Sequence, residues 1–197
     1  MEGVISANLG RFDSREASGA LNTELVDDVF VVRYAGTWSE SDGQIENLGA
    51  GDDYRASDSQ AARASLLWLM KDAMELTLRA YYADALATGD APTGLGILPR
   101  GADFSGYSST GLDFWESEAG QNGEYGASGD GVAATFSWAL NEGLEFTSIT
   151  AIDSGDFIVQ QDADGGPADI FNIAWSADHE QFNQELRLKY NNEGVRV

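Results

Sequence analysis

Apolar and polar residues alternate with a period of two over most of the chain, the mark of strands with two unlike faces. The last segment is the clearest. Phe182, Gln184, Leu186, Leu188 and Tyr190 alternate with Asn183, Glu185, Arg187 and Lys189. Val132, Ala134, Phe136, Trp138 and Leu140 alternate with Ala133, Thr135, Ser137 and Ala139. Similar runs lie around Leu76–Tyr82, Ala62–Trp68, Phe30–Trp38, Ile5–Leu9 and Ala17–Leu21. Leu144–Ile152 alternates poorly, which leaves its facing open. The pattern predicts eight strands, at about 3–10, 14–22, 29–40, 59–70, 74–84, 131–140, 144–153 and 180–191. A helix competes over 61–87, which is rich in Ala, Leu and Met, all good helix formers. Lys71-Asp72-Ala73 splits that window into two period-two runs of matching length, which favours strands.

The connections are of two kinds. Asn22–Asp28, Lys71–Ala73, Asn141–Gly143 and Asn191–Gly194 are short and polar, with the residues of tight turns. The segments 42–58, 87–130 and 153–180 are long, and Gly10–Asp13 is a short link on their side. Antiparallel strands put alternate connections at opposite ends of a sheet. One end therefore carries tight turns and the other long loops, the asymmetry of transmembrane β-barrels. The reading is an all-β chain: an antiparallel meander of about eight strands, an incomplete transmembrane β-barrel.

Composition sharpens this picture. The 197 residues hold 33 acidic and 11 basic side chains, a net charge of −22. Nineteen of those 33 acids fall in the three long segments, offset there only by Arg55 and Arg100. The apolar strand faces stay nearly free of charge, as lipid contact requires. So acidic a chain is unsuited to nucleic acid, whose phosphates need clustered Lys and Arg. Zero cysteines and one histidine, His179, leave no thiolate site, no catalytic triad and no multi-histidine metal centre. No carboxylate pair is singled out by spacing for glycoside hydrolysis. The chain is read as non-enzymatic, with no cofactor. It shows no secretory leader and no apolar run long enough for a membrane helix. Its last residues look like the start of another strand, so the expectation is a piece of a longer protein.

Several segments, in order, resemble the TonB-dependent outer-membrane receptors. Gly3–Asn22 resembles the first barrel hairpin after the plug domain of that family. Arg33-Tyr34-Ala35-Gly36 with Asp42-Gly43-Gln44-Ile45-Glu46-Asn47 resembles the next ascending strand and its loop, and Arg63–Trp68 the descending strand after it. Phe146–Ala151 and Phe182–Leu188 are the most specific matches. The likeness covers nearly all of 1–197 except the long loops. It implies early strands of a 22-stranded barrel that encloses a plug and is energised by the TonB complex. Such receptors, in the outer membrane of Gram-negative bacteria, import siderophore–iron complexes, cobalamin or carbohydrates. No plug domain or TonB box is present in the sequence. The implied partners are therefore the plug and remaining barrel of a parent protein, its TonB complex, outer-membrane lipid and a small-molecule substrate.

On that reading Arg33, Arg63, Arg79, Glu185 and Arg187 face the lumen, as contacts to plug or substrate or simply as solvated wall. Trp38, Trp68, Tyr82, Trp138 and Tyr190 sit near strand ends and suit interfacial girdles. Phe114 and Trp115, in the longest loop, are candidate ligand contacts. Asp162-Ala163-Asp164-Gly165-Gly166 resembles part of a calcium loop, but no glutamate follows at the required spacing, and an ordinary acidic loop is expected. His179 is expected in a loop. Two alternatives remain: a complete eight-stranded barrel, and a soluble acidic β-sandwich that binds ligands.

Overall fold

The computed structural model describes residues 1–49, 52–70, 73–94, 96, 98–192 and 195–196. The eight expected strands all form: β1 (Glu2–Leu9), β2 (Arg15–Val26), β3 (Phe30–Ser41), β5 (Ser57–Leu69), β6 (Met74–Ala87), β8 (Glu124–Asn141), β9 (Leu144–Asp162) and β10 (Asn172–Asn192). Two-residue strands β4 (Glu46–Asn47), β7 (Glu116–Ser117) and β11 (Val195–Arg196) complete the set. The helical alternative over 61–87 is displaced by an antiparallel β5–β6 hairpin in continuous register from Leu69↔Glu75 to Ser57↔Ala87.

The sheet is an antiparallel meander ordered β1-β2-β3-β5-β6-β8-β9-β10-β11. Among the described residues β1 pairs only with β2, so the sheet is open and no eight-stranded barrel closes. Among the described residues there is, apart from the β4–β7 bridge, one sheet, and no second layer that a sandwich would need. Connections at one end are tight, as between Val26 and Phe30 and between Asn141 and Leu144. Lys71 and Asp72 of one expected turn, and Glu193 and Gly194 of another, lie outside the described residues.

Register resolves the faces, because side chains directly opposite in an antiparallel pair point the same way. Tyr34, Ala64, Ala80, Val132, Ile152 and Phe182 form one row across β3 to β10. In β9 the even-numbered residues therefore share the apolar face, which settles the facing that the sequence left open. On this face the apolar stretch is nine residues long, end to end eight steps, in several strands: Met74–Tyr82, Val132–Leu140, Leu144–Ile152 and Phe182–Tyr190. At about 3.3 Å per residue this is roughly 27 Å along each strand. Strand tilt brings it close to the apolar band, about 25 Å tall, of an outer-membrane barrel.

The largest departure from expectation is in length. β8, β9 and β10 run well past the apolar band on the loop side, so 131–140, 144–153 and 180–191 become Glu124–Asn141, Leu144–Asp162 and Asn172–Asn192. Eight acids assigned to loops lie in the long strands of the sheet: Asp58, Glu124, Asp130, Asp153, Asp156, Asp162, Asp178 and Glu180; Glu46 and Glu116 lie in the short strands β4 and β7. His179 likewise lies inside β10 and not in a loop.

Candidate functional site: the loop cap and the inner face

Loops 42–56, 88–123 and 163–171 pack into one cap. Its core is Tyr54, whose side chain is fully buried although it comes from a segment of acids and glycines. A lone tyrosine between Asp53 and Arg55 has no periodicity around it, so nothing in the sequence marked it out. Its hydroxyl donates to the carbonyls of Ala119 (3.1 Å) and Gln121 (3.3 Å), joining two loops. Burial raises the Tyr54 phenol above its usual range, the Ser117 hydroxyl offsets part of this, and the Asp162 carboxylate adds to it. Parallel pairing of Glu46 with Glu116 and Asn47 with Ser117 fastens the same loops again.

Asp162 is buried where β9 enters the cap. Its carboxylate accepts backbone N–H groups from Gly120 (2.9 Å), Asp164 (3.0 Å) and Gly165 (2.9 Å). Asp164 accepts from Gly166, Ile170 and Phe171. These carboxylates are engaged by main-chain donors, which gives the Asp-Ala-Asp-Gly-Gly run its structural meaning as a loop staple. Asp103 closes a turn in the same way, accepting from the Ser105 hydroxyl and the amides of Ser105 and Tyr107. The Ser105 hydroxyl is the main cause that holds this carboxyl below its ordinary range.

Within the cap is a cavity of about 460 Å³, lined in part by Ile45, Arg55, Thr93, Ser109, Phe114 and Trp115. Phe114 and Trp115 meet edge to face with centroids 4.9 Å apart, and both rings are largely exposed. Such a T-shaped pair is a favoured aromatic geometry. Arg55 is tied to Asp90 at 2.9 Å, so the cation of this cavity is already paired. The hydroxyls of Thr93 and Ser109, beside exposed rings, suit a ligand with an apolar face and hydroxyl groups.

The remaining candidates sort by face. Arg33, Arg63, Arg79, Glu185 and Arg187 all lie on the face opposite the apolar band. They are spread over the wall and do not converge on one site. The Arg33 guanidinium donates to Asn22 at 2.8 Å, and Arg187 pairs with Glu185. Trp68, Trp138 and Tyr190 occupy the turn-side end of the apolar face, with Trp68 stacked on Phe30 at 5.5 Å. Trp38 and Tyr82 occupy its loop-side end, level with the first acids. His179 lies over Gly155, where a Cβ would fall 2.6 Å from the ring, and Tyr81 lies over Gly131 in the same manner at 2.7 Å.

An open meander with one apolar face, tight turns at one end and a loop cap at the other has the architecture of part of a transmembrane β-barrel wall. A solved structure agrees: the chain is similar to the ferric yersiniabactin uptake receptor FyuA from Yersinia pestis, with a TM-score of 0.71 and 16% identity over 98% of this chain. The chain spans 27% of that receptor's length. The fold is thus that of part of a barrel like FyuA's, in line with the incomplete barrel that the sequence resemblance implied. FyuA is an uptake receptor, which accords with the non-enzymatic reading. No protein-family model matches the chain, and no curated protein sequence does.

Proposed function

We propose that this chain forms part of the barrel wall and external cap of a TonB-dependent receptor in the outer membrane of a Gram-negative bacterium. The parent protein imports a nutrient of the siderophore–iron, cobalamin or carbohydrate classes. Its plug, remaining strands and TonB complex supply closure and energy, and outer-membrane lipid surrounds the apolar face. Phe114 and Trp115 contact the ligand in the cap, while the lumen-facing Arg33, Arg63, Arg79, Glu185 and Arg187 line its route or hold the plug. Trp38, Trp68, Tyr82, Trp138 and Tyr190 anchor the two membrane interfaces.

The observation that carries this reading is the pairing of a nine-residue apolar band with loops confined to one end. The absence of cysteine makes it directly testable. Single cysteines at Ile152 and Leu186, and at Ala151 and Thr147 on the other face, are labelled with an environment-sensitive fluorophore in liposomes. Nitroxide lipids are expected to quench the first pair strongly and the second weakly. Equal quenching at all four, or a monomer that stays soluble and unfolds cooperatively without detergent, sinks the membrane reading.

A further inference from the structure

Beyond the membrane the strands exchange the character of their faces. In the lower half of β10 the apolar side chains are Phe182, Leu186, Leu188 and Tyr190, all even-numbered, and the odd positions are polar. In its upper half the odd positions are Ile173, Trp175, Ala177 and His179, and the even ones Asn172, Ala174, Ser176, Asp178 and Glu180. The register between β9 and β10 is unbroken from Asn172 to Tyr190, so the exchange is chemical and not a bulge. The lipid-side face of the band continues upward into Glu40, Asp58, Asp84, Asp130, Asp156, Asp178 and Glu180. The inner face does the reverse.

Three successive inner rows run from β3 across to β10. The highest is Ser41, Ser57, Ala87, Tyr125, Val159 and Trp175. Below it lie Ser39, Ser59, Ala85, Ala127, Phe157 and Ala177, then Thr37, Ala61, Ala83, Gly129, Gly155 and His179. None of these eighteen positions is Asp, Glu, Lys or Arg, in a chain whose charged fraction of 22% leads one to expect about four. One half of the wall is hydroxylic, with Ser39 and Ser59 bonded at 2.8 Å. The other half carries exposed rings, Phe157 at 42% and Trp175 at 48% exposure, on facing strands within diagonal reach. His179 and, one row further down, Tyr81 lie over glycines, continuing the rings toward the membrane. The long loop with the Phe114–Trp115 cavity leaves the sheet at Ala87, in the same row as Trp175.

We propose that this inner wall is a binding surface for an uncharged, hydroxyl-bearing ring, a pyranose-type sugar, and that it discriminates against anionic metal chelates. The inference rests on the receptor reading above and narrows its substrate to the carbohydrate class. Rings offer an electron-rich face to the polarised C–H groups of a sugar. The serines, with Gln161 and Gln181 on the ring-bearing half, supply hydroxyl partners without a charge to desolvate. An anionic chelate finds no cation on these rows, and it meets a field set by the acids just outside.

The full chain, folded in detergent micelles, is titrated with maltotriose, xylotriose and chitotriose and, separately, with ferric citrate, followed by tryptophan fluorescence and calorimetry. At least one trisaccharide is expected to bind saturably and ferric citrate not to bind. Trp175→Ala should weaken that binding about tenfold and Trp175→Phe less than threefold, with unchanged circular dichroism as the folding control. Ferric citrate binding as tightly as the best sugar overturns the inference and leaves the receptor reading intact. Sugar binding indifferent to Trp175→Ala and Phe157→Ala, or no sugar bound at millimolar concentration, also overturns it. The lipid-quenching result reports on the receptor reading independently of either outcome.

Discussion

Two side chains hold the cap in one arrangement, and both act through the backbone. Tyr54 offers one hydroxyl to two carbonyls, and Asp162 offers one carboxylate to three amides. Removing the hydroxyl with Tyr54→Phe takes this donor from the buried Ala119 carbonyl and the part-buried Gln121 carbonyl, a loss of about 1 kcal/mol of local stability. Asp162→Ala orphans the amides of Asp164 and Gly165 and leaves Gly120 only its bond to the Gly166 carbonyl, so it is expected to cost more, on the order of 2 kcal/mol. Hydrogen exchange in 42–49 and 113–123 reads both losses, and protection unchanged in Asp162→Ala counts against the staple. The pH response follows from Tyr54. Its folded-state pKa lies above the unfolded value of 10.0, so its contribution is complete below pH 10 and lost as pH rises through the folded pKa. Burial raises Tyr107 as well, so tyrosinate absorbance should show two late-titrating groups, of which one disappears in Tyr54→Phe. For Asp103 the sign is opposite. Its lowered pKa keeps the 103–107 turn intact from neutral pH through the usual carboxylate range, and the turn loosens only in stronger acid.

Strands were legible wherever one environment governed a whole face. The eight long strands were read from alternation alone, and the band Phe182–Tyr190 coincides with a predicted one. The predicted ends at 131, 153 and 180 mark where alternation changes phase, and the strands themselves continue. At that level lipid gives way to water outside, so the outer positions turn acidic, and the inner positions turn apolar. A single-phase pattern ends there by construction, and the strand beyond resembled an acidic loop. The same logic predicts position-specific costs. Leu186→Arg, facing lipid, should destabilise by about 2–4 kcal/mol in a bilayer. Ala133→Arg on the inner face should change stability little. Denaturant unfolding in liposomes measures both, and equal costs contradict the assignment of faces.

Among the described residues the sheet is open with the edge of β1 unpaired, and the chain carries 33 acids and a largely exposed apolar face. Free edges pair with other chains, and apolar faces associate in water. Without detergent the chain is expected to form large assemblies by light scattering, dispersed by micelles. A clean monomer in buffer contradicts this.

The sequence by itself determined what depends on near neighbours: the strands of the membrane band, the Asn141–Gly143 turn and the receptor-like order of segments. Tertiary structure alone decided what depends on distant partners. Whether Asp162 holds calcium or ties loops depends on Gly120, forty-two residues away. Tyr54 becomes a core residue only because Ala119 and Gln121 fold over it. The uncharged inner wall exists only once register sets Ser39, Phe157 and their neighbours in common rows, because strand pairing, unlike alternation, is a long-range property of the chain.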